Sequence, residues 1–275
     1  MTKRIASLAG PSLKLDRAKK HLHDLDGIWR WFRETNPYGF ALEKDPDTGK
    51  EWRVVTRADP IPLCIPALAG DVVHNLRSAL DQLIRQLIVA NGAKPHDKSE
   101  FPIGHSEADY SAKKPRKTRG ISQDAADLLD AFQPYKGGKG AELFWTIHHL
   151  DIVDKHRLLL TTAWSHALIL RAGGFTVWDK DETEIIADDV IVEEELELTD
   201  PPLLRVGSRF EDHENVHITP LVALDERGLG ERKPLIWTLE YLVEKTALVI
   251  AAFARAGAWG QHSVPNSIGV FPPEV

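Results

Sequence analysis

Apolar residues recur most regularly between Leu68 and Asn91, and this period predicts the strongest helix of the chain. At about 100° per residue, one set of them falls on a single broad face. The members of this face are Val72, Leu76, Ala79, Leu80, Leu83, Ile84 and Leu87. We expect the face to pack against other helices and the rest of the fold to be organised around it. Ser78 and Arg85 lie farther round, toward solvent.

The same stretch carries three polar residues along one border of its apolar face. His74, Arg77 and Asp81 are spaced at i, i+3 and i+7, so they form one stripe. Arg77 and Asp81 are four residues apart and can form an ion pair. Because charged groups are rarely buried without a partner, the stripe predicts a polar partner on another helix. It is either an interhelical salt bridge with a capping histidine or a half-buried functional site.

A second strong helix is predicted over Glu142 to Thr162. It is apolar nearly all round, which is typical of a buried helix. It nevertheless carries polar residues on two stripes, and buried polar groups need partners. One stripe contains His148, Asp151 and Lys155, and the other contains His149 and His156. We expect the stripe of the first helix to supply those partners.

Weaker patterns predict the remaining elements. They are a first helix over Leu13 to Glu34, a hairpin over Phe40 to Glu43 and Glu51 to Arg57, a short helix over Asp124 to Phe132 with Ser122 as N-cap, and a closing helix over Leu235 to Ala256 with Trp237 and Phe253 on its apolar face. The stretch from Gly92 to about Ser122 is expected to be irregular.

Alternating and β-branched residues between Ala167 and Val206 predict a mostly antiparallel sheet. Its polar face is acidic, with Glu193, Glu195 and Glu197, and His217 to Leu224 is expected to add a strand. The fold class is therefore α+β, a helical bundle with an inserted or appended antiparallel β-sheet. We predict a single domain over residues 1–275, with a mainly helical core at 13–165, a β-hairpin near 40–57, a β-sheet region at 167–224 and a closing helix at 235–256.

Composition narrows the class of protein. With 43% hydrophobic and 27% charged residues, the chain is typical of a soluble globular protein. A net charge of −7 argues against a general nucleic-acid coat or a basic membrane-surface protein. The single cysteine, Cys64, excludes a disulfide framework, and its apolar neighbours predict buried packing. Without a signal peptide or a long apolar run, we expect a cytoplasmic protein with no membrane partner.

Four segments occur together in an order that resembles an uncharacterised family of bacterial proteins. They are Gly70 to Asp81, Phe101-Pro102-Ile103, Gln133-Pro134-Tyr135 and Asp151 to Arg157. The resemblance covers about residues 13 to 165 and, loosely, the closing helix. It implies a bacterial source and no particular activity.

A weaker resemblance is to the HEPN superfamily of small helical bundles, many of which are ribonucleases of toxin or defence systems. Those proteins carry an arginine followed four to six residues later by a histidine on a helix. Here no histidine lies in that window after Arg77 or Arg157, and the nearest match is Arg17 to His23 in the first helix. The chain therefore departs from the HEPN pattern at the late helices.

Three kinds of function fit these residues. The preferred hypothesis is a non-catalytic binding or scaffold protein whose polar stripes fix the register of two core helices. The second is a HEPN-like, metal-independent ribonuclease or phosphodiesterase. In it His74 or His156 is the base, Asp81 or Asp154 orients the base, and Arg77, Lys155 or Arg157 binds phosphate.

The third hypothesis is a divalent-metal-dependent hydrolase, because histidines and aspartates of both helices are suitable ligands. Its candidate ligands are His74, Asp81, His148, His149, Asp151, Asp154 and His156. Neither of the two predicted helices carries a Glu-x-x-His pair of the kind found in bundle metal sites, and neither carries a His-Glu-x-x-His motif. We therefore assign no metal site and no cofactor.

A basic run gives the remaining candidate surface. It consists of Lys113, Lys114, Arg116, Lys117 and Arg119, and it is either a solvated loop or a phosphate-binding loop beside the bundle. In an acidic protein it is the one place where nucleic acid is expected to dock. The expected partners are thus another protein or a second copy of the chain, and RNA or a small phosphate ligand.

Overall fold

The computed structural model describes residues 6–44, 51–159, 161–165, 168–178, 184–192, 196–197, 216–218, 221–224, 226, 228–229 and 233–255. The first half contains α1 (Ala9–Glu34), β1 (Tyr38–Lys44), β2 (Glu51–Ala58), α2 (Cys64–Ala90), α3 (Glu107–Lys117), α4 (Gln123–Phe132), a π-helical turn (Ala141–Trp145) and α5 (Thr146–Asp154). The second half contains β3 (Thr161–Ser165), β4 (Leu168–Trp178), β5 (Glu184–Val192), β6 (Leu196–Glu197), β7 (Val216–Ile218), β8 (Leu221–Leu224), β9 (Lys233–Pro234) and α6 (Leu235–Arg255). The predicted class, a helical bundle with antiparallel β-structure, is confirmed.

The chain divides into two compact units. The first comprises Met1–Leu25, Ala67–Leu159 and Trp237–Val275, and the second comprises Asp26–Pro66 and Leu160–Ile236. All the candidate site residues belong to the first unit. The single domain expected over residues 1–275 stays a prediction.

Helix α2 provides the core of the first unit, as its sequence predicts. All seven residues of its expected apolar face are buried. The helix ends where Gly92 takes a positive φ of 78°, and the Ala93 amide then donates to the Ile88 carbonyl. A left-handed glycine with this bonding is a common helix terminator. At the other end the expectation for Cys64 is wrong, because its side chain is exposed.

Four aromatic rings connect the helices of the first unit. Phe144 stacks on Phe101 with a centroid distance of 5.0 Å, and Phe132 lies 5.8 Å from Phe144. Phe132 also lies 5.9 Å from Phe253 of α6. The predicted return of the closing helix to the bundle is therefore confirmed. Trp237 was expected on the buried face of this helix and is instead 62% exposed.

Helix α3 corrects the expectation of an irregular stretch before Ser122. The Ser106 hydroxyl accepts a hydrogen bond from the Asp109 amide at 3.2 Å and caps the helix. Acidic residues lie in the first turn and basic residues in the last, which suits the helix dipole. Pro115, a residue that disfavours a helix interior, lies inside this helix, two residues before its last residue. The basic run therefore lies largely on a helix and not on a loop.

The predicted helices α1 and α4 and the predicted hairpin are confirmed, whereas α5 is shorter than expected. Ser122 caps α4 as predicted, and its hydroxyl accepts from the Ala125 amide. The long helix expected over Glu142 to Thr162 begins instead as a π-helical turn and ends at Asp154. From Thr161 the chain forms strand β3, which pairs with β8. This long-range pairing overrides the helical pattern of the local sequence.

The second unit contains the predicted antiparallel β-structure, which forms two sheets and not one. Their strand orders are β6-β3-β8-β9 and β5-β4-β7, and every described pair is antiparallel. The two strands expected on either side of Gly173 and Gly174 form a single strand, β4, whose register against β5 shifts between Arg171 and Phe175. The one strand expected over His217 to Leu224 is replaced by two, β7 and β8, which belong to different sheets. Glu193, Glu195, the side chain of Glu197 and residues 203–206 lie outside the described residues.

The position of α6 gives the first testable prediction. Phe253 is fully buried against Phe132, so Phe253→Ala should lower the free energy of unfolding by about 3–5 kcal/mol. Trp237→Ala removes a larger ring from an exposed site on the same helix and should change stability by less than about 0.5 kcal/mol. Urea unfolding of the two variants measures both values. Similar losses in the two variants would contradict the described packing of α6.

Candidate functional site

A polar seam runs along the contact between α2 and α5. Its residues are Gly70, His74 and Arg77 on α2, and His148, Asp151 and Asp154 on α5. The contacts follow opposite chain directions on the two helices. The Asp154 carboxylate lies against Gly70, whereas the Asp151 carboxylate, which comes earlier on α5, bonds to His74, which comes later on α2. The two helices therefore run antiparallel here, and their polar stripes face each other.

His74 and Asp151 form a histidine–carboxylate pair. The His74 Nδ1 atom lies 3.1 Å from Asp151 Oδ1, which confirms the predicted contact between the two stripes. The Asp151 side chain is only 3% exposed, whereas that of His74 is 51% exposed. Lys155 Nζ donates to the second oxygen, Asp151 Oδ2, at 2.5 Å. A buried carboxylate thus fixes one ring nitrogen of His74, while half of the imidazole surface faces solvent.

Asp154 closes the same end of the seam. A Cβ atom at position 70 would clash with its carboxylate, so this close approach requires Gly70. Burial raises the pKa of Asp154, and the nearby carboxylates of Asp71 and Asp151 raise it further. With three carboxylates against His74 and Lys155, this end of the seam is acidic.

The structure does not bring His156 and Arg157 into this group. Both follow the last residue of α5 and are exposed. Arg157 Nη1 donates to the carbonyl of its neighbour Leu158 at 3.1 Å. Their expected proximity to His74 depended on a longer helix, and that helix ends at Asp154.

Arg77 and Asp81 form the predicted ion pair but turn away from the carboxylates of α5. Arg77 Nη2 lies 2.9 Å from Asp81 Oδ1, and Nε donates to Oδ2 at 3.2 Å. Arg77 Nη2 also donates to the Phe101 carbonyl at 3.0 Å, and the Phe101 amide donates to Asp81 Oδ1 at 2.9 Å. Both backbone groups of Phe101 are therefore bonded to one ion pair of α2.

Glu100 connects this ion pair to α3. Its Oε1 atom lies 2.7 Å from Lys117 Nζ, and its Oε2 atom lies 3.7 Å from Arg77 Nη2. Burial by itself would raise the pKa of the Glu100 carboxyl. The hydrogen bond from Lys117 and the positive charges of Lys117 and Arg77 outweigh burial, so the pKa lies below its ordinary value. Glu100 was not predicted as a site residue. It lies between two helices, where no periodic pattern marks it, and only the adjacent Phe101-Pro102-Ile103 segment points to it.

His148 faces the cations of this network. Burial lowers the pKa of His148 to about 4, and the positive charges of Arg77, Lys117 and Lys113 and the imidazole of His105 contribute to the shift. Its ring lies 5.8 Å from Trp145 and 6.4 Å from His105, and those two rings are 4.7 Å apart. His148 is therefore a neutral imidazole at pH 7.

Three of the five residues of the basic run have carboxylate partners. Lys113 pairs with Asp109 at 2.6 Å, and Lys114 pairs with Asp130 at 2.5 Å. Lys117 is largely buried against Glu100, whereas Arg116 and Arg119 are exposed. The pairing reduces the local positive charge that nucleic acid would attract. Docking of nucleic acid at the basic run stays a prediction.

The predicted metal ligands do not form a cluster in the part of the chain that the structure describes. Within that part, no group of three or more histidine, cysteine, aspartate or glutamate side chains is placed to hold a metal ion. His74 and Asp151 meet, whereas Asp81 bonds to Arg77 and Phe101.

Comparison with known proteins found no match, whether to protein-family models, to curated proteins or to solved structures. Both resemblances inferred from the sequence therefore stay predictions. Among the described helices, none combines the length and the apolar character needed to cross a membrane.

Arg77 gives the second prediction. Its side chain is 7% exposed, so Arg77→Ala leaves Asp81 and the Phe101 carbonyl without their partner. Loss of one member of a buried pair costs about 3–5 kcal/mol, and we expect a loss of that size in urea unfolding.

Arg85→Ala is the matched control on the same helix. Arg85 was expected to face solvent, but it is half-buried and its Nη1 donates to the His96 carbonyl at 3.0 Å. We therefore expect a loss of about 1 kcal/mol, the usual contribution of one hydrogen bond. Equally small losses in both variants would show that Arg77 is not in a buried network.

His148 gives the third prediction, which concerns pH. Because its pKa is about 4 in the folded protein and 6.5 in an ordinary environment, the unfolded chain takes up the proton first. The stabilising contribution of the neutral imidazole is complete above pH 6.5 and is lost as the pH falls toward 4. Asp81 cannot cause this loss, since burial raises its pKa and a raised carboxyl pKa stabilises the fold at low pH.

Urea unfolding between pH 7 and pH 4 tests this expectation. The wild-type midpoint should fall as the pH decreases, and His148→Gln should show a weaker dependence on pH. His23→Gln, which removes an exposed histidine of α1, should retain the wild-type dependence. Identical profiles for His148→Gln and the wild type would contradict the prediction.

Proposed function

We propose that this protein is a non-catalytic binding or scaffold protein, in which the polar network between the core helices fixes the shape of a docking surface. The observation that carries the proposal is the bonding of Phe101. Both its backbone groups are bonded to the Arg77–Asp81 pair, so the ion pair fixes a segment of backbone. Buried polar groups that specify one conformation are an established use of such pairs.

The network also determines where α3 lies. The Glu100 carboxylate bonds to Lys117, which joins the segment before α3 to the last turn of that helix. Tyr110 of α3 donates its hydroxyl proton to Asp130 of α4 at 2.9 Å, and Lys114 pairs with the same carboxylate. Helix α3 is thus bonded on both sides. Its outer surface, with Arg116 and Arg119 exposed, is presented in one fixed orientation.

The proposed partner is another protein chain or a second copy of this chain, and RNA or a small phosphate ligand is the alternative. An exposed, unpaired cysteine is compatible with the reducing cytoplasm of a bacterium, which is the location we propose.

A second candidate function is favoured by the His74–Asp151 pair. A buried carboxylate that orients a half-exposed imidazole is the arrangement of a general base. The protein would then be a metal-independent phosphodiesterase or ribonuclease of the HEPN-like kind. Asp71, Asp151 and Asp154 make this end of the seam acidic and unfavourable for a polyanion, which is why the binding role is preferred.

One experiment, the fourth prediction, separates the two candidates. The purified chain is examined by light scattering for self-association and by fluorescence anisotropy for binding to labelled RNA and single-stranded DNA. The same nucleic acids and a small phosphodiester are then assayed for cleavage without added metal. We expect association or binding without cleavage. If the wild type binds RNA, the double variant Arg116→Ser/Arg119→Ser should bind RNA with lower affinity.

Cleavage would favour the second candidate function if it depends on His74. His74→Ala should then abolish cleavage, and Asp151→Asn should reduce it strongly because the imidazole loses its orienting carboxylate. His156→Ala should leave it unchanged, since that side chain lies beyond the end of α5. A monomer that neither binds nor cleaves these substrates would contradict self-association, nucleic-acid binding and the second candidate, and would leave another protein chain as the proposed partner.

A further inference from the structure

We propose that Arg77, Lys117 and the indole of Trp145 line a binding site for a phosphate-type oxyanion, and that the Glu100 carboxylate occupies this site in the present structure. The site lies between α2, α3 and the π-helical turn before α5, within the first unit. It would serve a binding protein or a hydrolase equally, so it does not rest on either candidate function. We call it the Glu100 site.

The charges of this region provide the first argument. The side chains of Arg77 and Lys117 are 7% and 10% exposed, and both face one carboxylate that is 40% exposed. Asp81 already neutralises Arg77 through two hydrogen bonds, so removal of Glu100 would leave a largely buried positive charge on Lys117. A buried charge of that kind requires an anion.

The position of Glu100 makes it replaceable by an external anion. It is the most exposed of the four charged residues of the network, and it precedes α3 in a segment outside the regular helices. Its contact with Lys117 is a hydrogen bond of 2.7 Å, but its oxygen is 3.7 Å from Arg77 Nη2, beyond hydrogen-bond distance. A phosphate oxygen between the two cations could bond to Lys117 and to Arg77 Nη1, because the two hydrogens of Nη2 already bond to Asp81 and to the Phe101 carbonyl.

Two unused hydrogen-bond donors provide a second, independent argument. Arg77 Nη1 and Trp145 Nε1 are both buried and have no hydrogen-bond partner among the described residues. Buried donors are nearly always satisfied, so each unpaired one requires an explanation. Both belong to residues beside Phe101, because Arg77 bonds to the Phe101 carbonyl at 3.0 Å and Trp145 directly follows Phe144, whose ring stacks on that of Phe101 at 5.0 Å. An oxyanion has the acceptors that these donors lack.

The local backbone agrees with a ligand site. Trp145 is the last residue of the π-helical turn Ala141–Trp145, and such turns occur frequently at functional sites. Lys136 Nζ lies 5.8 Å from the centre of the Trp145 ring, which adds a further positive charge beside the indole. His148 is neutral here because burial and the surrounding cations lower its pKa. The negative charge of a bound anion would offset the effect of the cations and raise that pKa.

The fifth prediction tests the Glu100 site with inorganic phosphate, measured by isothermal titration calorimetry at constant ionic strength. Glu100→Gln keeps the shape of the side chain and removes its charge, so phosphate should bind this variant about tenfold more tightly than wild type. Glu107→Gln is the matched control, because it removes an equal charge from an exposed position in the first turn of α3. It should bind phosphate like the wild type.

A second variant tests the Nε1 donor of Trp145. It can be measured whether or not the Glu100→Gln variant folds. Trp145→Phe retains an aromatic ring and removes the Nε1 donor, so its affinity for phosphate should fall about two- to tenfold. Trp237→Phe makes the same exchange at an exposed site of α6 and should have no effect. A titration with acetate in place of phosphate measures whether a carboxylate binds with the same affinity as phosphate.

Three results would overturn the proposal. The first is that neither the wild type nor Glu100→Gln binds phosphate or acetate above a chloride control. The second is that Glu107→Gln raises the affinity as much as Glu100→Gln, since the anion would then respond to overall charge and not to this site. The third is that Trp145→Phe leaves the affinity unchanged, since the indole would then take no part in binding.

Discussion

The burial of the Arg77 guanidinium is the constraint on which the first unit depends. A cation with 7% of its side chain exposed must be neutralised and hydrogen-bonded inside the protein. Asp81 supplies the charge from the same helix, and the Phe101 carbonyl supplies an acceptor from the following segment. The positions of Phe101 and Glu100, and through Lys117 that of α3, follow from this one requirement.

The stripe of polar residues on α2 has two different roles along its length. Arg77 and Asp81 bond to backbone and to each other, which is the arrangement of a structural network. His74, one turn earlier, is half-exposed and meets a buried carboxylate of α5, which is an arrangement suited to proton transfer. The acidic surroundings of His74 and the cationic surroundings of His148 lie on the same seam. The seam therefore carries opposite charges at its two ends.

The sequence predicted those parts of the site that lie within one helix or on two regular helices. Arg77 and Asp81 were expected to pair because they are four residues apart, and His74 was expected to meet the stripe of the second helix. Glu100 was missed because it lies outside any periodic element. Helix α3 was missed because Pro115 and the basic run favour a loop, and the proximity of His156 was wrong because α5 ends early. In each case a long-range contact or a helix end outweighed the local pattern.

By itself, the sequence determined the helical period of α2, its buried face, the Arg77–Asp81 pair and the antiparallel character of the later strands, because these follow from the spacing of side chains along the chain. The tertiary structure alone decided that Arg77 bonds to Phe101, that Glu100 lies between Arg77 and Lys117, and that α5 gives way to strand β3. Those features join residues far apart in sequence, and their free energy comes from burial and pairing that exist only when the helices and strands are assembled.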